Sequence, residues 1–376
     1  MSYPISVSHA TGRYAVTVEP LKVLPARMAA AGLSPGRVLV VTDDTVRALH
    51  GPRLVDALRA GGWEPAVYAV SPGETSKSAD VLAGLYDWAL GLGITRATPL
   101  VAFGGGVVGD LGGYAAATLL RGIPLVHVPT TTLSQVDSSI GGKTGINHAA
   151  GKNLLGAFWP PRLVLADPAV LATLPDRDYI SGFAEAVKHA LLSGDAAVAR
   201  LAPDWDAVVA REPDIVAATI ARAVAVKAEV VSADEREGGR RAFLNLGHTF
   251  AHAIEREAGY GVVAHGEAVA LGLRAALHLS ASLVFGDAEV GAPLANVGDG
   301  RFGPAEALVA RIPTPALPAA VTDAALVRAM SSDKKRGADG VRFVVLDAPG
   351  APRLASGIAT QRVLDALAHA RTAAPR

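Results

Sequence analysis

Apolar residues cluster or alternate with polar ones in six short runs of the first 175 residues. These are RYAVTVE (13–19), RVLVVTDD (37–44), EPAVYAVSPG (64–73), PLVAFGG (99–105), PLVHVPTT (124–131) and RLVLADP (162–168), each with the length and β-rich composition of a strand. Between them, VRALHGPRLVDALRAGG (46–62) and SADVLAGLYDWALGLG (78–93) have the spacing of helices. This alternation predicts an α/β domain over 1–175, a parallel sheet covered by helices. From about Asp176 the texture changes to long Ala-rich helical stretches, such as FAEAVKHALLSG (183–194) and PDIVAATIARAVAVKAEVV (213–231). Only VRFVVLDAPG (341–350) reads there as a strand. A mainly helical domain over 176–376 is therefore expected, with the cleft between the two as the default place for chemistry. The Ala/Pro/Gly-rich stretch 287–320 reads as irregular.

The length of 376 residues suits two ordinary domains, and the apolar half of the composition can fill both cores. Lys and Arg total 35, as do Asp and Glu. A net charge of zero argues against nucleic acid or an anionic membrane as the main partner, so any cationic cluster is local and serves a small anion. No cysteine is present, which excludes disulfides and leaves His, Asp and Glu as metal ligands. The N-terminus lacks a basic start followed by an apolar run, and no stretch has the roughly 18 apolar residues of a membrane span. A cytoplasmic location is the expectation.

Three segments carry candidate chemistry. In VAFGGGVVGDLGGY (101–114), Gly104, Gly106 and Gly109 form G-x-G-x-x-G directly after a strand, where glycine backbone and a helix N-terminus suit a pyrophosphate. The acidic residue usual at the end of the next strand is missing; Asp44, closing an earlier strand, is the candidate instead. In VDSSIGGKTGINHAAGKN (136–153), Asp137, Lys143, Lys152 and Asn153 lie in a glycine-studded loop whose lysines and amide suit a phosphate. FAEAVKH sets Glu185 and Lys188 on one turn among apolar neighbours, as an ion pair or a metal ligand with its companion. NLGHTFAHAIE (245–255) places His248, His252 and Glu255 on one helical face. Two ligand sets compete: these three, or His248 with His265 of AHGEAVALG and a distant carboxylate such as Glu185. Spacing does not choose between them.

The blocks PGETSKS, GGGVVGDLGGYAAATLLRG, VPTTTLSQVDSSIGGKTGINHAAGKNLLGAFWPP, LATLPDRDYISGFAEAVKH, DEREGGRRAFLNLGHTFAHAIE, HGEAVALG and DKKRG follow one another from residue 72 to about 337. Together they resemble the 3-dehydroquinate synthases of the sugar phosphate cyclase family. Ala251 stands where that family commonly has glycine, and Gly113 where alanine is expected. The resemblance implies a Rossmann-like N-terminal domain, a helical C-terminal domain, NAD, and zinc or another divalent metal such as cobalt. It implies Glu185, His248 and His265 as metal ligands, with His252 facing the substrate phosphate instead. Lys143, Asn153, Asn245, His252 and one or both of Lys334 and Lys335 would surround that phosphate. Arg121 would join them from a second subunit, making a homodimer. Lys227 and Arg241 would hold the substrate carboxylate, and Asp137, Lys152 and Lys188 would lie near the reacting centre. The matching NAD positions are Asp44, Glu74, Lys77, Gly105, Gly106, Asp110, Thr130, Thr131, Thr173 and Leu174, with Lys143 and Lys152 beside them.

The implied reaction turns 3-deoxy-D-arabino-heptulosonate 7-phosphate into 3-dehydroquinate and phosphate. It runs by transient oxidation at carbon 5, phosphate elimination, reduction, ring opening and aldol closure. Two other enzyme readings fit the same architecture: a related cyclase acting on a sugar phosphate without a carboxylate, and a metal-dependent alcohol or glycerol dehydrogenase.

Overall fold

The structure, a computed structural model, describes residues 4–259, 261–287, 292–332 and 341–372. In the N-terminal half, strands β1 (Ile5–His9), β2 (Gly12–Val18), β3 (Arg37–Asp43), β4 (Glu64–Val70), β5 (Leu100–Gly104) and β6 (Leu125–Pro129) are followed by a separate antiparallel hairpin. The hairpin comprises β7 (Lys143–His148) and β8 (Gly151–Phe158), and β9 (Leu163–Ala166) comes after it. The main sheet has seven strands in the order β1-β2-β9-β6-β5-β3-β4, parallel throughout except for β1 against β2. Its central strands β5, β6 and β9 are buried along their whole length, which is why they read as unbroken apolar runs.

Helices α1 (Leu24–Ala30), α2 (Asp44–Ala60), α3 (Ala79–Gly91) and α4 (Gly106–Thr118) accompany the sheet. Alternate strand residues point to opposite faces and build two cores. Leu39, Val41, Leu100 and Ala102 pack with Leu85 and Leu111 of α3 and α4. Val38, Val40, Val101 and Phe103 pack with Met28, Leu54 and Leu58 of α1 and α2. Asp43 starts α2 by accepting a hydrogen bond from the Val46 amide at 2.9 Å. No side chain caps α4, whose N-cap is Gly105.

The six strands expected from the sequence are present. Strand β1 and the hairpin are additions, and the segment 136–153, read as a loop, is largely a π-helical turn at Ser134–Ser138 followed by β7. The fit of α4 against β7 also accounts for Gly113, where the family resemblance points to alanine. A methyl group built on Gly113 would stand 2.4 Å from Cγ2 of Thr144. Gly113→Ala is expected to destabilise the protein by about 1–3 kcal/mol through overpacking. Adding Thr144→Ser removes Cγ2, keeps a hydroxyl for the bond that Thr144 donates to Ala157 O, and should recover most of the loss in thermal denaturation.

The C-terminal half is helical: α5 (Asp176–Gly182), α6 (Ala184–Ser193), α7 (Asp195–Val209), α8 (Pro213–Ala233) and α9 (His248–Ala258). Then come α10 (His265–Phe285), α11 (Gly303–Ala310) and α12 (Asp323–Ser332), the antiparallel pair β10 (Phe343–Leu346) and β11 (Pro352–Ala355), and α13 (Thr360–Thr372). The stretch 287–320, read as irregular, contains α11. Helix α10 is long and apolar enough to cross a membrane, but 83% of its apolar window is buried in the protein, as in a core helix.

Two compact units emerge, Met1–Pro175 with Arg211–Arg236, and Asp176–Ala210 with Glu237–Arg376. Helix α8, which the sequence reading placed in the second domain, belongs to the first unit. Its Ser232 Oγ accepts from the Ser8 amide at 2.9 Å, and Glu235 just beyond it accepts from the Ala10 amide at 2.7 Å.

Candidate active site

In the first unit the glycine turn has the expected form: β5 ends at Gly104, Gly105 is the N-cap, and α4 begins at Gly106. An uncapped helix start leaves amide donors for an anionic ligand. Beside it, the buried Thr130 Oγ1 has no hydrogen-bond partner among the described residues, while Thr131 Oγ1 donates to Ser134 Oγ at 2.9 Å. Asp44 lies on the first turn of α2, paired at 3.0 Å with Arg47, both more than half exposed. The Thr173 hydroxyl meets His50 Nε2 at 2.8 Å and the Leu174 carbonyl accepts from Arg211 at 2.7 Å.

The cations around this turn are organised by carboxylates. Lys77 is buried; its ammonium donates to Asp110 Oδ2 at 2.7 Å and Asn153 Oδ1 at 2.5 Å, with Glu74 at 3.8 Å. Lys152 lies 3.9 Å from the same Glu74 oxygen. Burial lifts the Asp110 carboxyl above its ordinary range although Lys77 pulls the other way. Asn147, which the sequence reading did not single out, ties this group together. Its Nδ2 donates to Glu74 at 2.8 Å, and its Oδ1 accepts from the Asn153 amide at 3.0 Å. Asn153 sits there at φ 55°, in the left-handed region. Lys143 is exposed at the start of β7. Lys227 of α8 is buried and donates to the Asp137 carbonyl at 2.7 Å, with the carboxylate Oδ1 at 2.8 Å. Arg121 is exposed on a turn where Leu120 and Arg121 both have positive φ, 51° and 66°. Two such non-glycine residues in sequence are costly and mark a constrained turn.

In the second unit, residues 184–191 of α6 are all buried, so Glu185 and Lys188 are enclosed. The Lys188 ammonium contacts Glu185 Oε2, yet neither carboxylate oxygen has a well-formed hydrogen bond. His248, first residue of α9, points Nε2 at Glu185 Oε1 from 3.3 Å; His265, first residue of α10, does so from 3.4 Å. The three donor atoms lie within 4.8 Å of one another. The geometry thus assembles the second of the two competing sets. Glu255 faces Nδ1 of His265, on the other side of the ring from the converging donors. His252 lies beside the group, its ring 5.4 Å from that of His248 and 6.5 Å from that of His265.

The electrostatics call for positive charge at this point. Burial opposes the Glu185 charge, but Lys188 and the histidines outweigh it and hold the carboxyl well below its usual range. Burial likewise opposes charge on His265, yet its contacts with Glu185 and Glu255 raise its pKa to about 10. Oε2 is paired with Lys188, whereas Oε1 has only the two imidazole nitrogens at 3.3 and 3.4 Å, and a divalent cation among these three donors would satisfy it. One carboxylate and two imidazoles are the donor set of an open, zinc-type catalytic centre. Of the remaining candidates, Arg241 is buried in the 3-10 turn Arg240–Asn245, and Asn245 donates to Glu237 at 2.8 Å. Lys334 and Lys335 lie outside the described residues.

Comparison with known proteins places this geometry. Two solved cyclase structures share the fold. ValA, the 2-epi-5-epi-valiolone synthase of Streptomyces hygroscopicus subsp. jinggangensis 5008 with NAD+ and Zn2+ bound, superposes with a TM-score of 0.79 at 28% identity over 98% of both chains. A 2-deoxy-scyllo-inosose synthase complexed with carbaglucose-6-phosphate, NAD+ and Co2+ also gives 0.79, at 22% identity over 97% of this chain and 99% of that one, which speaks to the fold alone. The 3-dehydroquinate synthase N-terminal family model matches residues 67–181 and the C-terminal model matches 182–336. The 3-dehydroquinate synthase of Salinibacter ruber (strain DSM 13855 / M31) is 48% identical over 341 residues, 90% of this chain and 89% of the relative. The chain belongs to the 3-dehydroquinate synthase family.

Proposed function

We propose that the protein is a 3-dehydroquinate synthase, a phosphate-eliminating lyase that converts 3-deoxy-D-arabino-heptulosonate 7-phosphate to 3-dehydroquinate. The observation that carries this reading is the buried Glu185 carboxylate with His248 and His265 converging on one of its oxygens, in a chain of this family. Those three residues would hold zinc or cobalt. Bound NAD supplies a reversible oxidation at carbon 5, and the metal supplies positive charge for the oxygen there. With a ketone at carbon 5, the carbon-6 proton of the substrate becomes acidic enough for phosphate to leave.

The side chains bind and orient. Gly105, Gly106, Thr130 and Thr131 offer the NAD pyrophosphate a helix start and hydroxyls, with Asp44, Glu74, Lys77, Asp110, Thr173 and Leu174 as further contacts. Lys143, Asn153, Asn245, His252 and the lysines at 334 and 335 hold the substrate phosphate. Lys227 and Arg241 hold its carboxylate, and Asp137, Lys152 and Lys188 sit near the reacting carbons. Positioning and fixed charge account for most of the rate, as in other sites of this kind. A cytoplasmic homodimer is part of the same reading. Arg121 would reach into the partner's site, and two features support this. The turn at Leu120 and Arg121 is strained, and Gly122 next to it packs on Trp159, directly after β8. On β8, Leu154, Leu155 and Phe158 are each about two-fifths exposed, apolar surface suited to cover by a second copy.

The test follows phosphate release and NADH absorbance together, with heptulosonate phosphate as substrate. Release is expected to require both NAD and metal, without NADH building up in proportion to product. Stoichiometric NADH would favour a dehydrogenase. Equal turnover of a sugar phosphate lacking the carboxylate would favour a related cyclase.

A further inference from the structure

Each histidine of the Glu185 group is held from behind. His248 Nδ1 lies 3.2 Å from the Leu246 carbonyl, and His265 Nδ1 lies 3.2 Å from Glu255 Oε2. In both rings Nε2 is the nitrogen that faces Glu185. A cation displaces one imidazole proton, and a ring that keeps donating through Nδ1 gives up the one at Nε2, so the acceptor behind the ring decides which nitrogen binds the cation.

We propose that Glu255 is the positioning residue for the metal site, fixing the tautomer and ring orientation of His265. This rests on Glu185, His248 and His265 being the metal ligands. Glu255 lies two helical turns after His248 on the same face of α9, and its side chain keeps only 13% of its surface exposed. The other nearby carboxylate is committed elsewhere. Glu267 takes Arg177 at 2.7 Å on each oxygen and the Ala264 amide at 2.7 Å, which secures the first turn of α10. Glu267 thus sets where His265 starts, and Glu255 sets how its ring turns. Charge explains why a carboxylate stands here rather than another carbonyl. Lys188 contacts Glu185 and weakens its pull on a cation; Glu255 returns a negative charge behind the second imidazole.

The test uses the full-length protein freed of metal by chelation and titrated with Co2+ alone. Affinity is read by competition with a chromogenic chelator, and ligand geometry by the visible absorption of bound Co2+. Glu255→Ala is expected to weaken Co2+ binding by roughly 10- to 100-fold and to shift the visible band, with apoprotein Tm little changed. Glu255→Gln keeps an acceptor without the charge; it should retain the wild-type band and lose less affinity than alanine, a graded rescue that a purely structural role does not produce. His265→Ala serves as the reference for the site itself. Wild-type affinity and spectrum in both Glu255 variants, with Co2+ binding lost in His265→Ala, overturns the role of Glu255 alone. Unchanged Co2+ binding in His265→Ala overturns the ligand set, and the inference with it.

Discussion

His265→Ala is expected to leave the protein without tightly bound metal and with kcat/KM lowered roughly a thousandfold or more. The loss of cationic stabilisation at the reacting oxygen is worth several kcal/mol, and about 4 kcal/mol corresponds to that factor. The substitution removes one of three donors that lie within 4.8 Å of one another and leaves Glu185, fully buried, to Lys188 and His248. His252→Ala separates two roles within one helix. Its ring lies beside the donors without joining them, so metal content should stay at the wild-type level. One lost charge-assisted contact to the phosphate should cost about 10- to 100-fold in kcat/KM. Metal analysis alongside steady-state kinetics reads both effects. Full metal occupancy in His265→Ala would discard the assignment and return the ligand role to His248, His252 and Glu255.

Arg241→Ala and Lys227→Ala are each expected to lower kcat/KM for the heptulosonate phosphate by about 10- to 100-fold, the worth of one charge-assisted bond of roughly 1.5–3 kcal/mol. An analogue without the carboxylate should be affected far less. Each side chain is buried within its own unit and does not lie on a solvated helix face. Lys227 also neutralises Asp137, at 2.8 Å, so its variant carries an added cost common to both substrates; Arg241→Ala is the cleaner comparison. Equal losses on the two substrates, or none on either, would detach these residues from carboxylate recognition and move the protein toward a related cyclase.

The parts of the fold that were legible in the sequence are those that solve a burial problem locally. Strands β5, β6 and β9, covered on both faces, have no room for polar residues and show as apolar runs. The β7–β8 hairpin was hidden by its glycines, which in a sequence suggest turns. Here they let two strands approach: a methyl on Gly145 would stand 2.6 Å from Leu155 O, and one on Gly156 would stand 2.2 Å from Thr144 O. Helical periodicity revealed α8 but not the layer it covers, because period reports a buried face and not its partner. The same limit applies to the site. Residue types and spacing nominated His248, His252, His265, Glu185 and Glu255, but which nitrogen meets which oxygen is a long-range matter. Asn147 had no local signature, since its role lies in reaching Glu74 and the Asn153 amide across a turn.

The excursion of α8 bears on how the protein is made. The edge of the first unit's sheet carries β1, whose Ser8 and Ala10 amides are satisfied by Ser232 and Glu235. On the ribosome, those donors emerge with the first few residues but wait for their acceptors until α5, α6 and α7 of the other unit have been synthesised. Assembly of the two units is therefore interleaved in time. Neither can be transplanted as a single uninterrupted stretch of coding sequence.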